Sequence, residues 1–392
     1  MKYEELVVEY EKLFHSKNVR VFFAPGRINL IGEHTDYNGG NVFPCAITYG
    51  TYALANKRSD RKVRLYSTNF PAEGVIEFDL DSLDYDERHD WANYPKGMLK
   101  YMKENHEIGS GMDVLFYGNI PNGAGLSSSA SIELVTGAML ESLFDLELDR
   151  LDLVKIGMRV ENEFIGVNSG IMDQFAIGMG KKEHGILLDC QTLQFKYAKL
   201  NLENRKILII NTNKRRELAE SKYNERRSEC MQALADIQNV LNIDSLGQLT
   251  EQQFEEVSSV IEDETIKKRA KHAVYENQRT IKALEALKHQ DLKKFGELMN
   301  DSHRSLQFDY EVTGIELDTL VSAAWEQVGV LGARMTGAGF GGCAIAIVEE
   351  EHIEAFIENV SKIYEEKIGY EATFYIASIG DGAREVKEGV HI

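Results

Sequence analysis

Little in this chain could staple or abruptly break a fold. Its 392 residues include five prolines and four cysteines. Cys45, Cys190, Cys230 and Cys343 are scattered with no C-x-x-C pair, which argues against both a disulfide framework and a zinc site. Thiols placed this way are expected to stay reduced, as in the cytoplasm. No apolar run approaches the roughly 20 residues of a membrane helix. The opening stretch from Met1 to Tyr10 is acidic and amphipathic, where a signal peptide would be basic and then uniformly apolar. Basic residues are also scarce, 44 against 63 acidic ones, for a net charge of −19. Such a field repels nucleic acid and anionic membranes. The basic cluster Lys214-Arg215-Arg216 is short and bounded by Asn213 and Glu217. A soluble, cytoplasmic, monomeric protein that binds neither nucleic acid nor membrane is expected. A small anionic substrate stays admissible, because a nucleotide needs only a local field.

What is present is ordinary in bulk, with 43% apolar and 27% charged residues, and the length suits two domains with separate cores. Short β-branched and aromatic runs predict strands at 19–23, 42–54, 62–67, 75–78 and 111–117, and again near 185–189 and 206–212. Ile132, Val135, Met139, Leu140 and Leu143 recur at helical spacing, which predicts a buried helix over 129–144, and Leu153, Ile156, Val160 and Phe164 mark a second. From about Arg216 to Asn300 the pattern is helical, charged and nearly free of Gly and Pro. The last hundred residues are mixed, with helices near 317–328 and 352–367 and strands near 333–335 and 344–348. An α+β architecture with domains at 1–200 and 201–392 follows.

Three glycine-rich segments stand out. The middle one, Pro121-Asn122-Gly123-Ala124-Gly125-Leu126-Ser127-Ser128-Ser129-Ala130-Ser131, opens a predicted helix. Backbone N–H groups, the positive end of the helix dipole and small hydroxyls there suit an anion such as phosphate, although such a loop also serves simply to turn the chain. The Lys that a Walker loop needs is absent. The last segment, Met335 to Cys343, contains G-x-G-x-x-G at Gly337, Gly339 and Gly342. A dinucleotide fingerprint must open a helix, whereas Cys343 to Val348 reads as a strand, so that reading is rejected. The first segment, Ala24 to Gly40, holds Glu33-His34-Thr35-Asp36, a set suited to hydrogen-bonding a neutral diol. Arg27 and Asp173 each sit among apolar neighbours. Buried charges seek partners, so the two are candidates for pairing, for a structural or a functional reason. Glu161 falls at the edge of the apolar face of its helix.

Together, in order and place, these segments resemble the three motifs of the galactokinase, homoserine kinase, mevalonate kinase and phosphomevalonate kinase superfamily, and the first resembles the signature of its galactose-phosphorylating branch. The resemblance runs from about Val21 to the end of the chain. It implies an N-terminal domain like the second domain of ribosomal protein S5, a ferredoxin-like C-terminal domain, and an active site between them where ATP phosphorylates the anomeric hydroxyl of D-galactose. By the same resemblance Gly123, Ala124, Gly125, Leu126, Ser127, Ser128 and Ser129 wrap the nucleotide phosphates, with Ser67 as a further nucleotide contact. Ser129 and Glu161 would hold Mg2+. Glu33, His34, Asp36, Gly170 and Tyr223 would bind the sugar, with Tyr37 beside them. Asp173 would be the general base, with Arg27 keeping it ionised and stabilising the transferred phosphoryl group. Related kinases acting on N-acetylgalactosamine or arabinose, and non-catalytic galactose sensors, share much of the pattern. Sensors can lack a Ser-Ala pair that is intact here at Ser129-Ala130.

Overall fold

The computed structural model describes residues 2–121, 124–167, 169–214 and 219–386. Its strands are β1 (Arg20–Asn29), β2 (Asn41–Val42), β3 (Pro44–Lys57), β4 (Lys62–Ser67), β5 (Ile76–Asp79), β6 (Met112–Gly118), β7 (His184–Asp189), β8 (Phe195–Lys199), β9 (Arg205–Asn211), β10 (Val330–Thr336), β11 (Cys343–Glu349), β12 (Thr373–Ala377) and β13 (Arg384–Val386). Its helices are α1 (Tyr3–Phe14), α2 (Asn93–Met102), α3 (Ser128–Leu143), α4 (Arg150–Arg159), α5 (Met172–Met179), α6 (Ala219–Gln238), α7 (Glu251–Val257), α8 (Glu264–Lys288), α9 (Leu292–Ser305), α10 (Gly314–Trp325) and α11 (Ile353–Ile368). Two π-helical stretches, Val160–Ile165 and Leu306–Tyr310, extend α4 and α9.

A six-stranded sheet in the order β13-β1-β3-β6-β4-β5 carries the first half, antiparallel except for the β4–β6 pair. Successive side chains of a strand point to opposite faces. Phe22 and Ala24 of β1 therefore join the core under α3 and α5, while Val21 and Phe23 join a smaller core beneath α1. A four-stranded antiparallel sheet, β10-β11-β9-β12, carries the second half. Its central strands show the same alternation and are buried on both faces. Leu208, Ile210, Ala344, Ala346 and Val348 pack under the helices of the second half. Ile207, Ile209, Cys343, Ile345 and Ile347 pack instead against Ile28, Leu30, Phe43 and Ile47 of the first half. That shared core is the seam along which the site lies. β2, β7 and β8 form a small third sheet.

The predicted elements recur with shifted ends, and β1 differs most. It continues through Pro25 and Gly26 to Asn29, with a register irregularity between Pro25 and Arg27. The bulge absorbs residues that read as strand breakers. Among the described residues no helix is long and apolar enough to cross a membrane.

Candidate active site

The bulge in β1 is the site's foundation. A Cβ at Gly26 would stand 2.7 Å from the Leu126 carbonyl oxygen, so only glycine lets the middle loop approach this strand. The approach places the Arg27 N–H 3.2 Å from that carbonyl. The Arg27 guanidinium then reaches three groups: Nε and Nη2 donate to the two oxygens of Asp173 at 2.8 and 2.9 Å, and Nη1 donates to the Gly125 carbonyl at 2.9 Å. Bidentate pairing of this kind fixes carboxylate orientation as well as charge. Ser127 stands at the N-cap position of α3 with φ 63°, and its hydroxyl donates to Asp173 Oδ2 instead of capping the helix. The Arg27 side chain is 7% exposed while that of Asp173 keeps 29%. The pair is thus anchored from inside and open on the carboxylate side.

Ser129, in the first turn of α3, donates its hydroxyl to Glu161 Oε1 at 2.8 Å. Glu161 lies in the π stretch after α4 and is buried. Beside these groups a cavity of about 220 Å3 is lined by Ser67, Asn69, Phe70, Trp91, Tyr94, Ser128, Ser129 and Ile132, among others. Its aromatic wall and polar mouth suit a flat heterocycle. Ala124 and Leu126 bury their side chains in the seam, so only their backbone faces the loop's interior. Gly123 lies outside the described residues.

On the other side of Asp173 sit the polar residues of the first segment. A Cβ at Gly170 would lie 3.1 Å from Asp36 Oδ2, so this carboxylate and the backbone before α5 are neighbours. Burial pushes the Asp36 carboxyl above its ordinary range, and the nearby Asp173 adds to the rise. His34 has φ 62°, a left-handed conformation uncommon for a non-glycine residue. Its Nε2 lies 3.2 Å from the Ala338 carbonyl and its Nδ1 lies 2.8 Å from the Tyr37 hydroxyl. Burial drives its pKa down to about 3, so the ring is neutral. A carbonyl only accepts, so Nε2 carries the proton and Nδ1 must accept from Tyr37. Tyr37 in turn accepts from the Tyr310 hydroxyl at 2.7 Å, which leaves Cys230 Sγ, 3.2 Å away, to donate to Tyr310. The Tyr223 ring lies 5.6 Å from that of His34 and 5.4 Å from that of Tyr37.

Glu33 is built into the seam. Its Oε2 accepts from Asn29 Nδ2 at 2.6 Å and pairs with Arg334 Nη2 at 3.1 Å, and its Oε1 accepts from the Gly337 N–H at 2.7 Å. Arg334 is fully buried and also bonds the Asn29 carbonyl and Ser302. Glu276 of α8 accepts from the Gly32 N–H at 3.0 Å, and its pKa falls to about 2 because Arg279, His272, Arg334 and Ser302 together outweigh the cost of burial. The third glycine segment thus closes onto the first.

Arg334, Glu276, His272, Tyr310 and Cys230 escape a reading of the sequence. Apart from Arg279, three residues beyond Glu276, the partners that place them in the site lie tens to hundreds of residues away. The one local signal is the spacing of His272, Glu276 and Thr280, one helical turn apart on a face of α8 that is buried.

The profiles described as GHMP kinases N terminal domain and GHMP kinases C terminal match residues 93–181 and 283–366, and the galactokinase galactose-binding signature matches residues 8–57. Galactokinase of Clostridium beijerinckii is 60% identical over 96% of this chain and 97% of its own length; that of Lactiplantibacillus plantarum is 59% identical over 98% and 100%. The crystal structure of Lactococcus lactis galactokinase complexed with galactose superposes with a TM-score of 0.93 at 54% identity, covering 98% of this chain and 99% of that one. Methanococcus jannaschii mevalonate kinase, with TM-score 0.65 and 22% identity over 93% and 99% of the two chains, shares the fold. The chain belongs to the galactokinase family.

Proposed function

We propose that this chain transfers the γ-phosphoryl group of ATP to the anomeric hydroxyl of D-galactose, giving galactose 1-phosphate and ADP. The observation that carries the reading is the Arg27–Asp173 pair, held by Gly125 and Ser127 of the glycine-serine loop. One side chain thereby ties the phosphate loop to a partly exposed carboxylate. Phosphoryl transfer is mostly a matter of positioning and charge neutralisation. The backbone of the loop through Ser129 binds the phosphates, and Ser67 with its aromatic neighbours holds the base. Glu33, His34, Asp36, Gly170 and Tyr223 take the sugar. His34 is neutral, so it borders the sugar without adding charge. Asp173 accepts the proton of the anomeric hydroxyl as the oxygen–phosphorus bond forms, and Arg27 stabilises charge on the transferring phosphoryl group.

The paired hydroxyl and carboxylate of Ser129 and Glu161 are hard oxygen donors at the mouth of the nucleotide cavity, a set that fits Mg2+. Bound there, the ion would neutralise phosphate charge. The same reading includes a division of the chain into domains near residue 200 and a cytoplasmic monomer that binds neither nucleic acid nor membrane.

The test is ADP release measured over galactose, N-acetylgalactosamine and arabinose, with and without magnesium, in the wild type and in Asp173→Asn. Turnover is expected with galactose and magnesium, falling about 10²- to 10⁴-fold in the variant while calorimetry still detects galactose binding. Near-normal turnover of Asp173→Asn would sink the assignment of the base. Absence of galactose-dependent ADP release in the wild type would favour a sensor.

A further inference from the structure

Glu133 is a buried carboxyl that the reaction above does not use. It stands on α3, one turn after Ser129, and is fully buried. Its Oε2 accepts from Gln174 Nε2 at 3.1 Å. Gln174 is equally buried and follows Asp173 directly on α5. Glu133 Oε1 and Gln174 Oε1 each lack a hydrogen-bond partner among the described residues. Two buried oxygens left unpaired on groups already joined by one bond indicate a missing hydrogen, because an unmet buried acceptor costs about 1–3 kcal/mol. A carboxylate has no hydrogen to give. A carboxylic acid has one, and an acid and a carboxamide pair side by side through two bonds, N–H to Oε2 and O–H to the amide oxygen.

We propose that Glu133 is a positioning residue, a neutral carboxylic acid whose planar pairing with the Gln174 carboxamide locks the helix of Ser129 to the helix of Asp173. The role rests on the reading that Ser129 and Asp173 flank the transferred phosphoryl group. The electrostatics agree with the geometry. Burial raises the Glu133 pKa well above the carboxylate range, and the Glu161 and Asp173 carboxylates that face it from the other two helical segments raise it further. A third anion there would be opposed from both sides. A neutral acid ties the helices together and leaves Glu161 and Asp173 as the charged members.

Infrared difference spectroscopy of the wild type against Glu133→Gln should show a protonated-carboxyl carbonyl band at neutral pH that the variant lacks. Steady-state kinetics supply the second readout. Glu133→Leu strands the Gln174 amide, and kcat is expected to fall about 10- to 100-fold, as for other groups that orient a site from behind. The Gln side chain can form the same two-bond pair, so Glu133→Gln is expected to recover most of that loss. Absence of the carbonyl band overturns the proposal. So does a Glu133→Gln variant as inactive as Asp173→Asn with its melting midpoint unchanged, since that marks a working carboxylate. If Glu133→Leu does not fold, the band and the Gln variant still decide. Glu161→Gln and Asp173→Asn, run alongside, report on the underlying site assignment, whose failure would leave the infrared band in place.

Discussion

His34 and His272 stay neutral because they are buried, and that neutrality has a cost in acid. Burial takes His34 from 6.5 down to about 3 and His272 down to about 4. Below pH 6.5 these rings take up protons in the unfolded chain that they refuse in the folded one, so their contribution to stability is full above that pH. It then falls by roughly 1.4 kcal/mol per pH unit for each ring as pH drops toward 4. Glu276, depressed from 4.5 to about 2, adds a loss of the same sign below pH 4.5. Burial raises the Glu33, Asp36 and Glu133 carboxyls, which contribute with the opposite sign as pH falls, so the ring is read by difference: between pH 7.5 and 4.5 the urea midpoint of His272→Gln should lose less, or gain more, on acidification than that of the wild type, and parallel profiles would contradict the assignment. At this scale the sequence was partly legible. Arg27 and Asp173 were readable as charges among apolar neighbours, and they are bonded to each other. The polar seam of Arg334, Glu276 and His272 was not, because a buried network is specified by long-range partners and its members look like surface residues in a charged helix or a strand.

Elements were legible where periodicity was strong and blurred where chemistry interrupts it. α3 and the central strands β9 and β11 follow from apolar spacing alone. β1 overruns its predicted end because tertiary pairing tolerates Pro25 and Gly26 at a bulge, the very feature that admits the middle loop. Glu161 was readable from helical spacing as the edge of an apolar face and is buried, whereas the π stretch it stands in gives a 3.6-residue pattern no signal. Close packing of elements gives a direct test in α9. A Cβ at Gly296 would stand 2.1 Å from the Leu331 carbonyl oxygen of β10, and backbone on backbone has little room to yield. Gly296→Ala is expected to destabilise the protein by about 1–3 kcal/mol, read as a lower urea midpoint. An unchanged midpoint would mean that α9 and β10 are not in the contact described.

Across the whole molecule, the seam decides how far the halves stand alone. Ile28, Leu30, Phe43 and Ile47 find their partners in Ile207, Ile209, Ile345 and Phe295, all beyond residue 200. A fragment of residues 1–203 would expose that surface, and it is expected to show no cooperative thermal transition, whereas the full chain unfolds as one unit; a sharp transition in the fragment would show an autonomous domain. The placement of β13 has a consequence for how the protein is made. This three-residue strand pairs with β1 at Val21↔Val386, Phe22↔Glu385 and Phe23↔Arg384, and Arg20 bonds Glu385. During synthesis β1 has β3 on one side early, but its other edge waits while more than 300 further residues are translated. Through that interval the strand that carries Arg27 offers unpaired backbone to any neighbouring chain, the usual opening for edge-to-edge association. Emergence of residues 384–386 therefore gives this part of β1 its second neighbour and closes that opening.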